Sequence, residues 1–147
     1  MKSWWRDEAW LRLGQDVGLL ILRVGLGLMM ALGHGWPKLG RLSADPVKFA
    51  DPLGLGATAS LVLAIGAELG CSLLLIVGLG TRLAAVPLLC TMLVAALIVH
   101  GGDPWKKQEF ALLYALPYLA LICTGPGRLA VDHWIRQWMA RREDREE

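Results

Sequence analysis

The sequence predicts an all-α fold: an integral membrane four-helix bundle with an interfacial amphipathic segment at each end. Three observations lead there. The 147 residues are 55% apolar and their mean hydropathy is +0.47, which would leave a soluble domain of this size with adhesive surface patches. Four apolar runs, residues 17–36, 55–80, 83–99 and 110–124, approach or exceed the roughly 20 residues that a spanning helix needs. All seven tryptophans, Trp4, Trp5, Trp10, Trp36, Trp105, Trp134 and Trp138, lie at or beyond the ends of these runs. Indole prefers the headgroup layer, where its ring is buried and its N–H stays wet.

Residues 1–16 are polar but carry Trp and Leu, the pattern of a short helix lying on the membrane. The first span follows. It is long and holds Arg23, which argues against a cleaved signal peptide, and it closes at His34-Gly35-Trp36-Pro37-Lys38, where Pro37 opposes continuation of the helix. The loop after it contains Pro46 and Pro52. The second span stops at Gly78-Leu79-Gly80, and the tight turn Gly80-Thr81-Arg82 makes the second and third spans antiparallel neighbours. The third span carries Pro87 and finishes at His100-Gly101-Gly102-Asp103-Pro104. The fourth opens near Glu109 and contains Pro117, a source of a kink; being short, it draws on Leu129 to Val131 to cross. In the tail, Trp134, Ile135, Trp138 and Met139 share one face with arginines elsewhere, as in a basic interfacial helix, and residues 141–147 read as disordered. The organisation is therefore an N-terminal segment (1–16), a membrane domain (17–132) and a C-terminal tail (133–147). Gly66 and Gly70, with Gly18, Gly25 and Gly27, read as close contacts inside the bundle, a homo-oligomer interface being the alternative.

The net charge of +2 is uninformative, but its distribution is not. With four spans, Lys2, Arg6, Arg12, Arg82, Arg128, Arg136, Arg141, Arg142 and Arg145 share the side of both termini, against Lys38, Arg41, Lys48, Lys106 and Lys107 opposite. That asymmetry places both termini in the cytoplasm. Cys71, Cys90 and Cys123 sit in apolar runs without a paired-cysteine motif, as packing residues do. Phosphate loops, nucleophile elbows and haem-attachment motifs are absent, and the basic residues flank a membrane rather than form a nucleic-acid surface.

Arg23 and Glu68 stand out, because an ionised group facing lipid at mid-membrane costs at least about 2.5–3.5 kcal/mol. Such groups face a bundle interior, a cavity or each other. Glu68 precedes Gly80 by 12 residues, roughly 18 Å of helix, which sets it in the outer half of the membrane. His34, Lys38, His100 and Glu109 mark the outer ends of the other spans, and Arg23, Gly27, His34 and Lys38 share one helical stripe. The cluster admits several readings. Arg23–Glu68 and Lys38–Glu109 pairs would merely hold the bundle. Alternatively, His34, Glu68 and His100 would bind a quinone head group or relay its protons, since His and a partly desolvated carboxylate have pKa values that can be moved toward neutrality. A metal site of His34, His100 and a carboxylate such as Glu109 is a third reading, and solute or proton transport a fourth. A second cluster, Thr81, Arg82 and Asp132, reads as structural: Arg82 would bond helix-end carbonyls or pair with Asp132.

The succession Arg23, His34-Gly35, Lys38, Glu68-Leu69-Gly70, Gly78-x-Gly80-Thr81-Arg82, His100, Glu109-Phe110-Ala111 and Gly125-Pro126-Gly127 with Asp132 resembles the DoxX family over residues 17–132. The resemblance implies a bacterial inner-membrane four-helix protein, similar to the membrane subunit of thiosulfate:quinone oxidoreductase. It carries the family's polar pattern onto Arg23, His34, Lys38, Glu68, Arg82, His100, Glu109 and Asp132. The chain departs from disulfide-handling bundles in lacking adjacent thiols, although Cys71 and Cys90 flank the tight turn. The expectation is a membrane subunit or redox-complex partner with a polar pocket of Arg23, His34, Lys38, Glu68, His100 and Glu109 open to quinone. It would contact the bilayer and a redox partner subunit, with a second copy of itself as a further option and no covalently bound cofactor. With no domain for a flavin, haem or iron–sulfur cluster, electrons would come from elsewhere. The alternatives are a non-catalytic scaffold and, third, a transporter.

Overall fold

A computed structural model describes residues 8–146, which form five helices among the described residues. Helix α1 comprises Glu8–Met30, a π turn at Ala31–Gly35, and Trp36–Leu39. Helix α2 spans Ala57–Val77 with a π turn at Gly66–Cys71, and α3 spans Thr81–Val99 with its last turn, Ala95–Val99, also π. Helices α4 (Trp105–Thr124) and α5 (Val131–Glu146) complete the chain. Helices α1, α2 and α3 are long and apolar enough to cross a membrane. In α4 the first turn holds Lys106 and Lys107, and Glu109 follows directly after it, which leaves a shorter apolar run. The end where α1 begins and α2 turns into α3 is called basal below, the opposite end distal.

Helices α3 and α4 make the most extensive packing in the molecule, and α1 lies against α2. Small residues permit the close approach: Ala84, Ala85, Ala111 and Ala115 are all buried. Around them Met30, Leu75, Leu88, Tyr118 and Leu121 fill the core. The outside is apolar as well. Ile21, Leu32, Val62, Leu83, Leu97 and Leu116 are each more than half exposed, as a lipid-facing surface requires. Trp10, Trp36, Trp105 and Trp134 are exposed near helix ends and Trp138 is exposed midway along α5, while Trp4 and Trp5 lie outside the described residues.

Four sequence expectations change. From Glu8 onward the N-terminal segment is the first part of α1, not a separate surface helix, because Gly14 alone does not break the run. Pro37 does not end α1. The wide π turn just before it absorbs the clash of its ring with the preceding turn. Gly66 and Gly70 face outward with nothing near them, as do Gly18 and Gly25. The inward edge of α2 carries Ala67 and Glu68 instead, and the close contacts fall on Gly27 and Gly35. The tail helix, finally, continues past Arg141 to Glu146, with Arg142 stacked 3.9 Å over the Trp138 ring.

Candidate functional site

Each of the three long helices carries a π turn. Those of α1 and α2 touch each other, and that of α3 ends at His100. A π turn inside an α-helix is uncommon and is frequently found at a functional site. At the α1–α2 crossing a Cβ on Gly35 would lie 2.7 Å from the Leu69 amide nitrogen and 2.9 Å from the Glu68 carbonyl carbon. Only glycine lets the two backbones approach this closely. One turn beyond, the Lys38 ammonium donates to the Glu68 carboxylate and forms an ion pair with it. Glu68 is 4% exposed, so its charge is neutralised inside the protein rather than in water.

Beside this pair lies a cavity of about 340 Å³, within the usual range of small-molecule sites. Its polar lining is Lys38, Glu68, Ser60, Thr91 and His100, while Leu63, Val94 and Val99 make apolar walls. Residues 49, 50, 52 and 53 roof it. Asp51, in the middle of that roof, accepts hydrogen bonds from the Leu55 amide at 2.9 Å, the Gly56 amide at 2.8 Å and the Ser60 hydroxyl at 2.7 Å. The Ser60 hydroxyl, then the Gly56 amide, hold the Asp51 carboxyl below its ordinary range. His100 leans toward the distal loop, its Nδ1 2.8 Å from Asp103 Oδ2, with Lys107 Nζ 3.2 Å from the same oxygen. These two hydrogen bonds, His100 first, keep the Asp103 carboxyl low.

The other predicted residues are dispersed. His34 is half-buried outside the cavity, its ring 5.6 Å from that of Tyr114 and 5.9 Å from that of Phe110. Glu109 is exposed, and Lys38 pairs with Glu68 in place of it. Arg23 does not meet Glu68. Its guanidinium donates to the carbonyls of Leu75 at 2.9 Å, Ile76 at 2.8 Å and Leu129 at 2.7 Å. Leu75 and Ile76 lie roughly 11 Å further along α2 than Glu68. The C-terminal carbonyls of a helix lack partners and carry partial negative charge, and they capture the cation first.

Arg23 thereby joins the basal cluster. Asp132 accepts from the Gly80 amide at 2.7 Å and the Thr81 amide at 3.0 Å, and its own amide donates to the Gly78 carbonyl at 2.9 Å. Gly78 has φ +77, and a Cβ there would also sit 2.7 Å from that of Ala130. Arg82 donates to the Cys123 carbonyl at 3.2 Å and makes no pair with Asp132. Asp16 accepts from the Arg128 amide at 2.8 Å. The cluster thus clamps the start of α1, the α2–α3 turn and the α4–α5 link through backbone groups.

His34, His100 and Glu109 do not converge, and no group of three or more His, Cys, Asp and Glu among the described residues is placed to hold a metal ion. Cys71, Cys90 and Cys123 are free thiols. Ser60 and Asp51 were not foreseen. Ser60, Ala64 and Glu68 recur every four residues along one face of α2, and an Asp shortly before an apolar run is a helix-start signal. Tyr118, fully buried with no hydrogen-bond partner for its hydroxyl among the described residues, carried no such signal.

The model of one protein family, DoxX, matches residues 18–101, more than half of the chain. The chain belongs to the DoxX family. The DoxX match takes in Arg23, Lys38, Glu68, Arg82 and His100, and stops short of Glu109 and Asp132. No curated protein and no solved structure gives a significant match.

Proposed function

We propose that this DoxX protein is a membrane subunit or partner of a respiratory or redox complex, and that its distal cavity receives a quinone head group near the outer leaflet. The observation that carries it is the buried Lys38–Glu68 pair at the head of an otherwise mostly apolar cavity. A quinone presents two carbonyl acceptors, and its reduced form two hydroxyl donors. Lys38 can donate to the first and Glu68 accept from the second. The apolar walls suit the ring and the start of an isoprenoid tail. His100 and Lys38 at the distal edge give protons a route toward water.

In this reading α4 is the fourth span. Its 20 residues give about 30 Å of helix, the thickness of the hydrocarbon core, with Lys106 and Lys107 reaching the interface. The basal end, carrying Arg82, Arg128, Arg136, Arg141 and Arg142, is cytoplasmic with both termini, in a bacterial inner membrane. Binding of a short-chain quinone to the protein in nanodiscs, with turnover supported by the native partner, tests the site. Glu68→Gln should weaken binding by about tenfold or more, roughly 1.4 kcal/mol. His34→Ala should do less, because His34 lies outside the cavity. If Glu68→Gln changes neither binding nor turnover, the quinone site is wrong. The second reading is a scaffold whose charges only fix the fold, and it is favoured by the basal clamp, where Arg23 and Asp132 bond backbone groups alone. An intact-complex mass spectrum from gently solubilised membrane separates them: a scaffold carries phospholipid only.

A further inference from the structure

We infer that Asp51 is a positioning residue which holds residues 49–53 as a closed roof, so that the cavity is shut to the outer water and fills sideways from the hydrocarbon, between α2 and α3. The inference rests on the cavity being a ligand site. It narrows the ligand to a membrane-dissolved amphiphile with a flat polar head and an apolar tail.

Two sets of observations meet here. The first concerns the roof. Asp51 is exposed, yet its carboxylate gathers three hydrogen bonds at the start of α2, two from the backbone amides just before the helix and one from the buried Ser60 hydroxyl in its first turn. A carboxylate at a helix N-terminus also meets the positive end of the helix dipole. Ser60 itself lines the cavity, as do Ala50 and Pro52 on either side of Asp51. One side chain therefore ties the covering loop to the cavity wall, and its loss frees both.

The second concerns the mouth. Leu63 on α2 and Cys90 on α3 line the cavity and are also exposed, Leu63 by 58%. Cys90 lies halfway along α3, at a depth that only lipid or the cavity can reach. The cavity thus opens at mid-helix along an apolar edge, while residues 49–53, with Leu53 itself 57% exposed, form its distal lining. A polar solute has no reason to enter by that route, whereas a quinone or another lipid dissolved in the hydrocarbon is already there.

Cys90 supplies the test. In proteoliposomes, with Cys71→Ala and Cys123→Ala leaving Cys90 as the sole thiol, a charged methanethiosulfonate should label the parent slowly and a lipid-soluble maleimide quickly. Asp51→Ala should raise the charged-reagent rate by about tenfold or more and leave the maleimide rate within about twofold. Ser60→Ala, which removes one bond of three, should shift the charged-reagent rate in the same direction by less, and it carries the test if Asp51→Ala loses its helical circular dichroism. Rapid charged labelling of the parent, or an unchanged rate in both variants, overturns the roof. The measurement contains no quinone, so its failure is distinct from failure of the quinone reading. That reading is probed separately by whether a short-chain quinone slows maleimide labelling.

Discussion

Buried polar residues in this protein divide into those that satisfy backbone and those that pair with another side chain beside the cavity. Arg23 is the largest fully buried side chain, and its three bonded acceptors are all carbonyls. Hydrogen bonds from a charged donor contribute about 1.5–3 kcal/mol each, so Arg23→Gln should lower the thermal midpoint sharply in a detergent-melting assay and leave quinone affinity unchanged. Glu68 differs, because its partner Lys38 retains 16% side-chain exposure at the cavity edge. Gly35→Ala tests the support of that pair. A methyl 2.7 Å from the Leu69 nitrogen must push α1 from α2, an overpacking cost of about 1–3 kcal/mol, and quinone affinity should fall with stability. Asp51 yields a pH prediction. Its folded pKa is depressed, so its contribution is present above the unfolded carboxyl pKa and is lost only as pH falls through the lower folded value. The ratio of charged-reagent labelling of Cys90 in Asp51→Ala to that in the parent should therefore stay flat from about pH 8 to about pH 5. A ratio that collapses within that interval contradicts a latch made by an ionised Asp51. Arg23 and Glu68 were legible as interior groups from the cost of their charge in lipid. Their partners were not, because partner choice depends on where the C-terminal carbonyls of α2 fall in space, and a linear stripe does not encode that.

Among the elements, the helices were legible and their irregularities were not. Apolar length and tryptophan position mark the spans, since both follow from the thickness of the hydrocarbon layer. The turn between α2 and α3 was legible from Gly78 and Gly80, which both adopt positive φ. The π turns left no comparable trace. Composition at Ala31–Gly35 or Gly66–Cys71 resembles an ordinary small-residue stretch, and the shift in register appears only when two helices cross. That shift carries α1 through Pro37 and brings Lys38 onto the buried Glu68. Crossing of the membrane by α4 gives a direct prediction. Single cysteines placed at Gly102 and at Glu143 should be labelled by an impermeant maleimide from opposite sides of the inner membrane, Gly102 in whole cells with a permeabilised outer membrane and Glu143 only after lysis. Labelling of both from the same side would leave α4 on the surface and place the C-terminus outside.

At the level of the whole molecule, the two polar clusters occupy opposite ends and use different kinds of partner. The basal clamp ties the start of α1, the α2–α3 turn and the α4–α5 link through Arg23, Arg128 and Asp132, all engaging carbonyls, amides or the Asp16 carboxylate. The distal site pairs two side chains beside a cavity and leaves room for a third party. Between them lies the core of Met30, Leu75, Leu88 and Tyr118, with no ion pair joining the ends among the described residues. Separated sites without shared partners contribute additively to stability. Clamp variants such as Asp132→Ala should therefore lower the unliganded melting midpoint while preserving the upward shift produced by saturating short-chain quinone. That shift reports RT ln(1 + [L]/Kd), about 2.7 kcal/mol at one hundred times Kd. Paired replacement of Lys38 and Glu68 by Met should do the opposite: the unliganded midpoint holds or rises, because a buried ion pair exchanged for apolar groups of similar volume is often neutral or stabilising, and the ligand shift disappears. If the double replacement instead unfolds the protein while clamp variants abolish the ligand shift, then the distal pair is the structural element and the division of labour between the two ends is reversed.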